Sequence, residues 1–171
     1  MATVSTNQYT GLVPAGHGLQ GNVKAWYGKY TYSSAPSAND LINMFELPKN
    51  CLTLWGFVAT DDIDTGTETL DIDIGYTANG GGAATLTTTD GTTYTNDSSG
   101  VADPDGFVNG GVFTGDAITD LAPAGTNWRP FLHSVGPKFF SEKTVVQAKI
   151  IAAAHAGGTG TVYVCIFGIV L

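Results

Sequence analysis

Hydrophobic and polar side chains alternate along much of this chain with a period of two, the pattern of strands with one dry face. Between Glu68 and Tyr76 the apolar set is Leu70, Ile72, Ile74 and Tyr76, while Thr69, Asp71 and Asp73 take the other side. Val146, Ala148, Ile150 and Ala152 make a second such face, opposite Gln147 and Lys149. Both segments predict antiparallel strands wetted on one side. Two others break that rule. Cys51–Ala59 is apolar on both faces, with Leu52, Leu54 and Val58 against Trp55 and Phe57. So is Thr161–Leu171, where Tyr163, Cys165, Phe167 and Ile169 oppose Val162, Val164, Ile166 and Val170. A strand apolar on both sides needs two covers. The core is one; an arm, a loop or a neighbouring subunit is the other.

Turn chemistry separates these runs. Leu47-Pro48-Lys49-Asn50 divides Leu41–Glu46 from Cys51–Ala59, with Pro48 fixing φ and Asn50 tolerating a left-handed turn. Asp64-Thr65-Gly66-Thr67 and Gly157-Gly158-Thr159-Gly160 punctuate the next pairs, and hairpins are expected at all of them. Asp103-Pro104-Asp105-Gly106 carries a turn signature as well. Helix signals are weak, because nothing after Ser37-Ala38-Asn39-Asp40 sustains a 3.6-residue period. The expected fold is all-β: an antiparallel, jelly-roll-like β-sandwich over residues 23–171, with a Gly/Thr-rich insertion at about 77–127. Residues 1–22, small and polar with no sustained period, are expected to form an extended N-terminal arm.

Composition narrows the function. Seven Lys and Arg against fifteen Asp and Glu leave a formal charge of −8. That acidity opposes nucleic-acid binding, which needs cations to displace phosphate counterions, and docking on anionic membranes. Charged residues are only 13% of the chain, while Gly and Thr number 23 each, which strengthens the β reading. No export signal is expected, since residues 1–20 contain no apolar run of that kind. Cys51 and Cys165 sit in apolar surroundings, as buried free thiols would; a disulfide between them is the open alternative at this stage.

Candidate chemistry is sparse. His17, His133 and His155 have no His or Cys partner at zinc-ligand spacing, and no Gly-x-Ser-x-Gly elbow is present. Asp61, Asp62 and Asp64, followed by Gly66, offer oxygen ligands to a structural calcium; a solvated acidic loop needs no such assumption. Asp71 and Asp73 share a strand face at a separation within an inverting glycosidase's range, yet simple wet-face alternation places them equally well. Trp26, Tyr30 and Tyr32 fall on one parity of the Val23–Ser33 strand and would form a glycan-stacking platform if that face were exposed. No nucleophile, base and oxyanion site can be assembled, so an enzyme is not expected. No cofactor is implied beyond that calcium.

The order of these pieces resembles a known family. Leu47-Pro48-Lys49-Asn50-Cys51-Leu52-Thr53-Leu54, then Thr60-Asp61-Asp62-Ile63-Asp64-Thr65-Gly66, then Leu70-Asp71-Ile72-Asp73-Ile74-Gly75-Tyr76 is similar to capsid decoration (cement) proteins of tailed bacteriophages. A Val-x-Ala-rich strand at Val145–Ala154 and a closing apolar strand at Thr159–Leu171 complete the likeness, which covers roughly half of the chain. It implies a non-enzymatic virion protein, made in the host cytoplasm, that clamps the expanded head from outside. Its partners would be the major capsid protein and further copies of itself, a homotrimer before a dimer. The arm would then bind the shell through Leu12, Val13, Pro14 and Leu19. Tyr163, Phe167 and Ile169, on the doubly apolar last strand, are the expected oligomer contact. The alternative from another class is a carbohydrate-binding sandwich displayed on a phage head or fibre.

Overall fold

A computed structural model describes residues 3–5, 23–61, 63–64, 69–88, 91–97, 101–108, 126–131, 136–154 and 159–171. The described secondary structure is all strand. In chain order the strands are β1 (Thr3–Ser5), β2 (Lys24–Tyr32), β3 (Leu41–Leu47), β4 (Cys51–Asp61), β5 (Asp71–Tyr76), β6 (Thr85–Thr87) and β7 (Thr93–Thr95). They continue with β8 (Asp103–Val108), β9 (Thr126–Phe131), β10 (Lys138–Phe140), β11 (Thr144–Ala152) and β12 (Gly160–Val170).

Two sheets pack face to face. The first has the order β1-β3-β11-β5-β8, and the second β10-β4-β12-β2, with β9 also on β4. Strand β10 pairs with the start of β4 at Cys51–Thr53, and β9 with its end at Gly56–Asp61, so the two share one edge. A small hairpin, β6–β7, stands apart from both sheets. Among the described residues every strand pair is antiparallel except β1–β3.

At the predicted turns the chain connects different partners from those expected. The connections β3–β4, β4–β5 and β11–β12 each cross from one sheet to the other, so none is a hairpin. Asn50 does adopt the left-handed conformation, φ 54°, and serves an inter-sheet corner. Turn residues report that the chain reverses; they do not report whether it returns beside itself or across the sandwich.

The interior is built from the inward parity of both sheets. Ile42, Met44, Phe45 and Leu47 of β3, Ile72, Ile74 and Tyr76 of β5, and Val146, Ala148 and Ile150 of β11 meet Val58 of β4 and Val162, Val164 and Ile166 of β12. Burying one such aliphatic side chain is worth about 1.5–3 kcal/mol, which is what holds the layers together. Gly28 lets β2 approach β3: a Cβ there would lie 2.6 Å from the Met44 carbonyl oxygen.

Asp103-Pro104-Asp105-Gly106 is not a turn but part of β8. Its pairing with β5 is irregular, with a register shift between Ile74 and Tyr76. An edge strand tolerates proline, which removes a ladder donor only on the open side. The close approach also selects glycine. A Cβ on Gly75 would meet the Asp103 carbonyl oxygen at 2.0 Å, and one on Gly106 would meet the Tyr76 ring at 2.4 Å.

Candidate functional site

The two outer faces of the sandwich differ in chemistry. On the first sheet the outward parity is polar, and Gln147 donates from Nε2 to Asn43 Oδ1 at 2.6 Å across β11 and β3. Asp71 and Asp73 lie on the same outer side, as alternation predicts, though Asp73 is buried rather than wet. Burial raises the Asp71 carboxyl above its ordinary range, with the Ile72 amide pulling the other way.

The second sheet is aromatic outside. Strand β12 runs at its centre with β2 on one side and β4 on the other, which aligns three cross-strand rows. One holds Ala25, Phe167 and Trp55; the next Tyr27, Cys165 and Phe57; the third Lys29, Tyr163 and Ala59. Trp55 stacks on Phe167 with ring centroids 4.3 Å apart and planes 10° from parallel. Phe57 closes the cluster at 6.4 Å from both rings, and Tyr27 stacks on Tyr163 at 6.2 Å. Trp55 keeps 43% of its surface exposed and Tyr27 36%, so the cluster lies open.

A bulge makes this face possible. Pairing of β12 with β4 steps from Phe167–Trp55 to Gly168–Thr53, leaving Leu54 as the extra residue. The insertion switches parity along β4, so Cys51 joins the core while Trp55 and Phe57 turn outward. The two thiols therefore lie on opposite faces of one sheet, both buried and free. Burial pushes Cys51 up to about 12, Lys24 opposing, and Cys165 up to about 11.

Of the residues expected at an oligomer contact, Tyr163 and Phe167 stand in the aromatic cluster. Ile169 lies on the same parity one step beyond, opposite Leu52. Sequence reading did not join Trp55, Phe57 and Tyr27 to them. The signal was present, because Cys51–Ala59 is also apolar on both faces, but only the register brings the two segments together.

The proposed glycan platform is corrected by burial. The parity shared by Trp26, Tyr30 and Tyr32 faces the interior: Trp26 is 4% exposed, Tyr32 6%, and Tyr30 packs against the core. Both faces of β2 carry aromatics, so parity alone could not say which one the core takes. The acidic turn is occupied with latching the backbone. Asp64 Oδ2 accepts the amides of Thr69 at 2.5 Å and Leu70 at 2.9 Å, and Asp61 Oδ2 accepts that of Thr161 at 2.9 Å. Among the described residues no three His, Cys, Asp or Glu side chains are grouped to hold a metal ion. Asp62, the arm residues Leu12, Val13, Pro14 and Leu19, and all three histidines lie outside the described residues.

No protein-family model and no curated protein matches the sequence. Solved structures do match. A chain of the capsid of Ralstonia phage GP4 superposes with a TM-score of 0.65 at 20% identity, covering 99% of this chain and 99% of that one. This is a fold found in phage capsids. A chain of the cyanophage Pam1 capsid asymmetric unit agrees, with a TM-score of 0.59 at 17% identity over 93% of this chain and 92% of that one. Both likenesses run over nearly the whole chain and so take in both sheets.

Proposed function

We propose that this chain is a structural virion protein, a decoration (cement) protein that binds the outside of an expanded phage head and stabilises joints between major capsid subunits. The observation that carries the reading is the end-to-end likeness of fold to a chain of a phage capsid, at 99% coverage of both. The open aromatic face adds physical support, because a β-sandwich that leaves Trp55, Tyr27 and their neighbours exposed on one side is suited to burial against protein. Cement works by adding interface area across joints that are strained outward by packaged DNA. A rigid two-sheet core transmits that load, and residues 1–22 supply apolar anchors at Leu12, Val13, Pro14 and Leu19. The role is mechanical and needs no catalysis or cofactor. Copies associate with one another through the aromatic face, as a trimer in the favoured arrangement, and the acidic surface keeps the protein off nucleic acid.

Co-sedimentation with expanded capsids of the same phage tests this, using the full chain and a chain with Leu12, Val13 and Leu19 replaced by serine, which keeps β1 on β3. Saturable binding at fixed stoichiometry, weakened by the triple substitution, is the expected result. Failure of the full chain to bind vacant, competent capsids would overturn the cement role.

A further inference from the structure

A pocket of about 120 Å³ opens where β2 ends and β3 begins, lined among others by Tyr30, Tyr32, Pro36, Asp40, Leu41 and Ile42. Tyr32 is 94% buried, and its hydroxyl is enclosed without a hydrogen-bond partner. Such an orphaned group carries a standing desolvation penalty that a suitable ligand atom would remove. Burial, with Tyr30 and Asp40 adding, raises the hydroxyl far above its ordinary range, so it stays a neutral phenol with lone pairs to offer. Tyr30 meets it edge-on, ring centroids 5.0 Å apart at 88°.

The carboxylate beside these rings is held in place by the backbone. Asp40 Oδ2 accepts the Ser37 amide at 3.0 Å. The Asn39 amide donates to the Ile150 carbonyl at 2.7 Å, and the Ile150 amide returns a bond to the Asp40 carbonyl at 3.0 Å. Asn39 takes up the turn in the left-handed region, φ 69°. The site is therefore preformed, acidic, and walled by aromatic and prolyl rings.

We propose that this pocket receives the guanidinium group of an arginine from a neighbouring shell protein. An anion is repelled by Asp40 in a chain of formal charge −8. A guanidinium has planar donors enough to reach both a carboxylate and the Tyr32 oxygen, and its face suits the Tyr30 ring. A lysine ammonium would satisfy the charge but not the stacking. The source rests on the cement reading. The chain's own sole arginine, Arg129, is the other conceivable donor, from a second copy.

The test titrates the full chain with N-acetyl-arginine-methylamide and follows the tyrosine ring signals by NMR. The uncharged citrulline analogue and methyl glucoside serve as competing probes. Saturable shifts at Tyr30 and Tyr32 from the arginine compound are expected, weakened about tenfold by Asp40→Asn and also weakened by Tyr32→Phe. Thermal melts confirm that both variants are folded. Equal response to citrulline, a response to the glucoside alone, or no response to arginine would overturn the proposal. On capsids, Asp40→Asn should weaken co-sedimentation while Arg129→Gln leaves it unchanged. Weakening by both substitutions would assign the arginine to a second copy and sink the shell-protein source, and an Asp40→Asn chain that binds capsids normally would overturn the pocket's role on the shell. Loss of all capsid binding by the unaltered chain would count against the cement role, with the peptide titration still deciding the pocket.

Discussion

Asp103 accepts a hydrogen bond from the Tyr76 hydroxyl at 3.2 Å. Its carboxyl is nevertheless held above the ordinary 3.8, first by desolvation and then by Asp105, with Tyr76 and Lys138 opposing. A carboxyl raised on folding binds more protons in the native state than in the unfolded one. Its contribution to stability is thus fully present below 3.8 and is lost as pH rises through the raised native value. Asp105→Asn should move the Asp103 titration down towards the ordinary range and flatten the pH dependence of stability across that window. Carboxyl-carbon NMR would show the first effect and denaturant unfolding at a series of pH values the second, and an Asp103 that titrates normally in the unaltered protein would refute the account. The thiols give a second residue-scale expectation. With Cys51 near 12 and Cys165 near 11, thiolate at neutral pH is scarce and both sulfurs are buried. Alkylation of the folded protein should be at least about a hundredfold slower than that of the unfolded chain. Rapid labelling of the native state would show that the sheet opens more readily than its packing implies.

At the scale of elements, the β6–β7 hairpin is fastened to the sandwich at Asn96 and at Asp97, which exchanges backbone and carboxylate bonds with Phe139, and the buried Asn96 amide makes the widest set of bonds. Asn96, 2% exposed, exchanges bonds with Asn79 at 3.0 Å in each direction, donates to the Gly82 carbonyl at 2.9 Å and accepts the Ser141 amide at 3.2 Å. Asn96→Ala would strand several of these groups at once and should destabilise the protein by about 2–3 kcal/mol. Denaturant unfolding measures this, and hydrogen exchange at the Ser141 amide localises it; an unchanged midpoint would mean that the hairpin is free to leave. Nothing in the sequence announced this clamp, because its members come from three separate segments. What could be read was local. Alternation placed the ends of β3, β4, β11 and β12 within about two residues, and Asn50 was recognised as a left-handed position. The choice of partner was hidden, so corners between sheets passed for hairpins. The β8 edge strand passed for a turn because its Pro104 and Gly106 answer to Tyr76 and to β5, which lie elsewhere in the chain. The same limit applied to the candidate site. A doubly apolar last strand told that a second cover was needed, but the bulge at Leu54 that swings Trp55 onto Phe167 is visible only in the register.

On the whole-molecule scale the sandwich is asymmetric, polar on one broad face and aromatic on the other, and association should follow that asymmetry. Phe167 sits at the centre of the aromatic side, stacked on Trp55 and flanked by Phe57. Its partial exposure means that aspartate can be introduced there without emptying the core, since β12 fills the core through Val162, Val164 and Ile166 instead. A carboxylate among those rings would have to be desolvated in any contact that covers them, which opposes assembly far more than folding. Phe167→Asp should therefore leave a monomer of near-native stability, or an aggregate if the remaining rings seek other surfaces. Sedimentation equilibrium of both proteins decides the matter. A soluble oligomer unchanged by the substitution would move the contact elsewhere. If the contact lies on this face, the polar sheet and the Tyr30–Asp40 pocket at its margin remain available to the shell, and self-association and capsid binding should respond to different substitutions. Phe167→Asp would then lower capsid affinity only through lost multivalency, whereas Asp40→Asn would lower it with the oligomer intact.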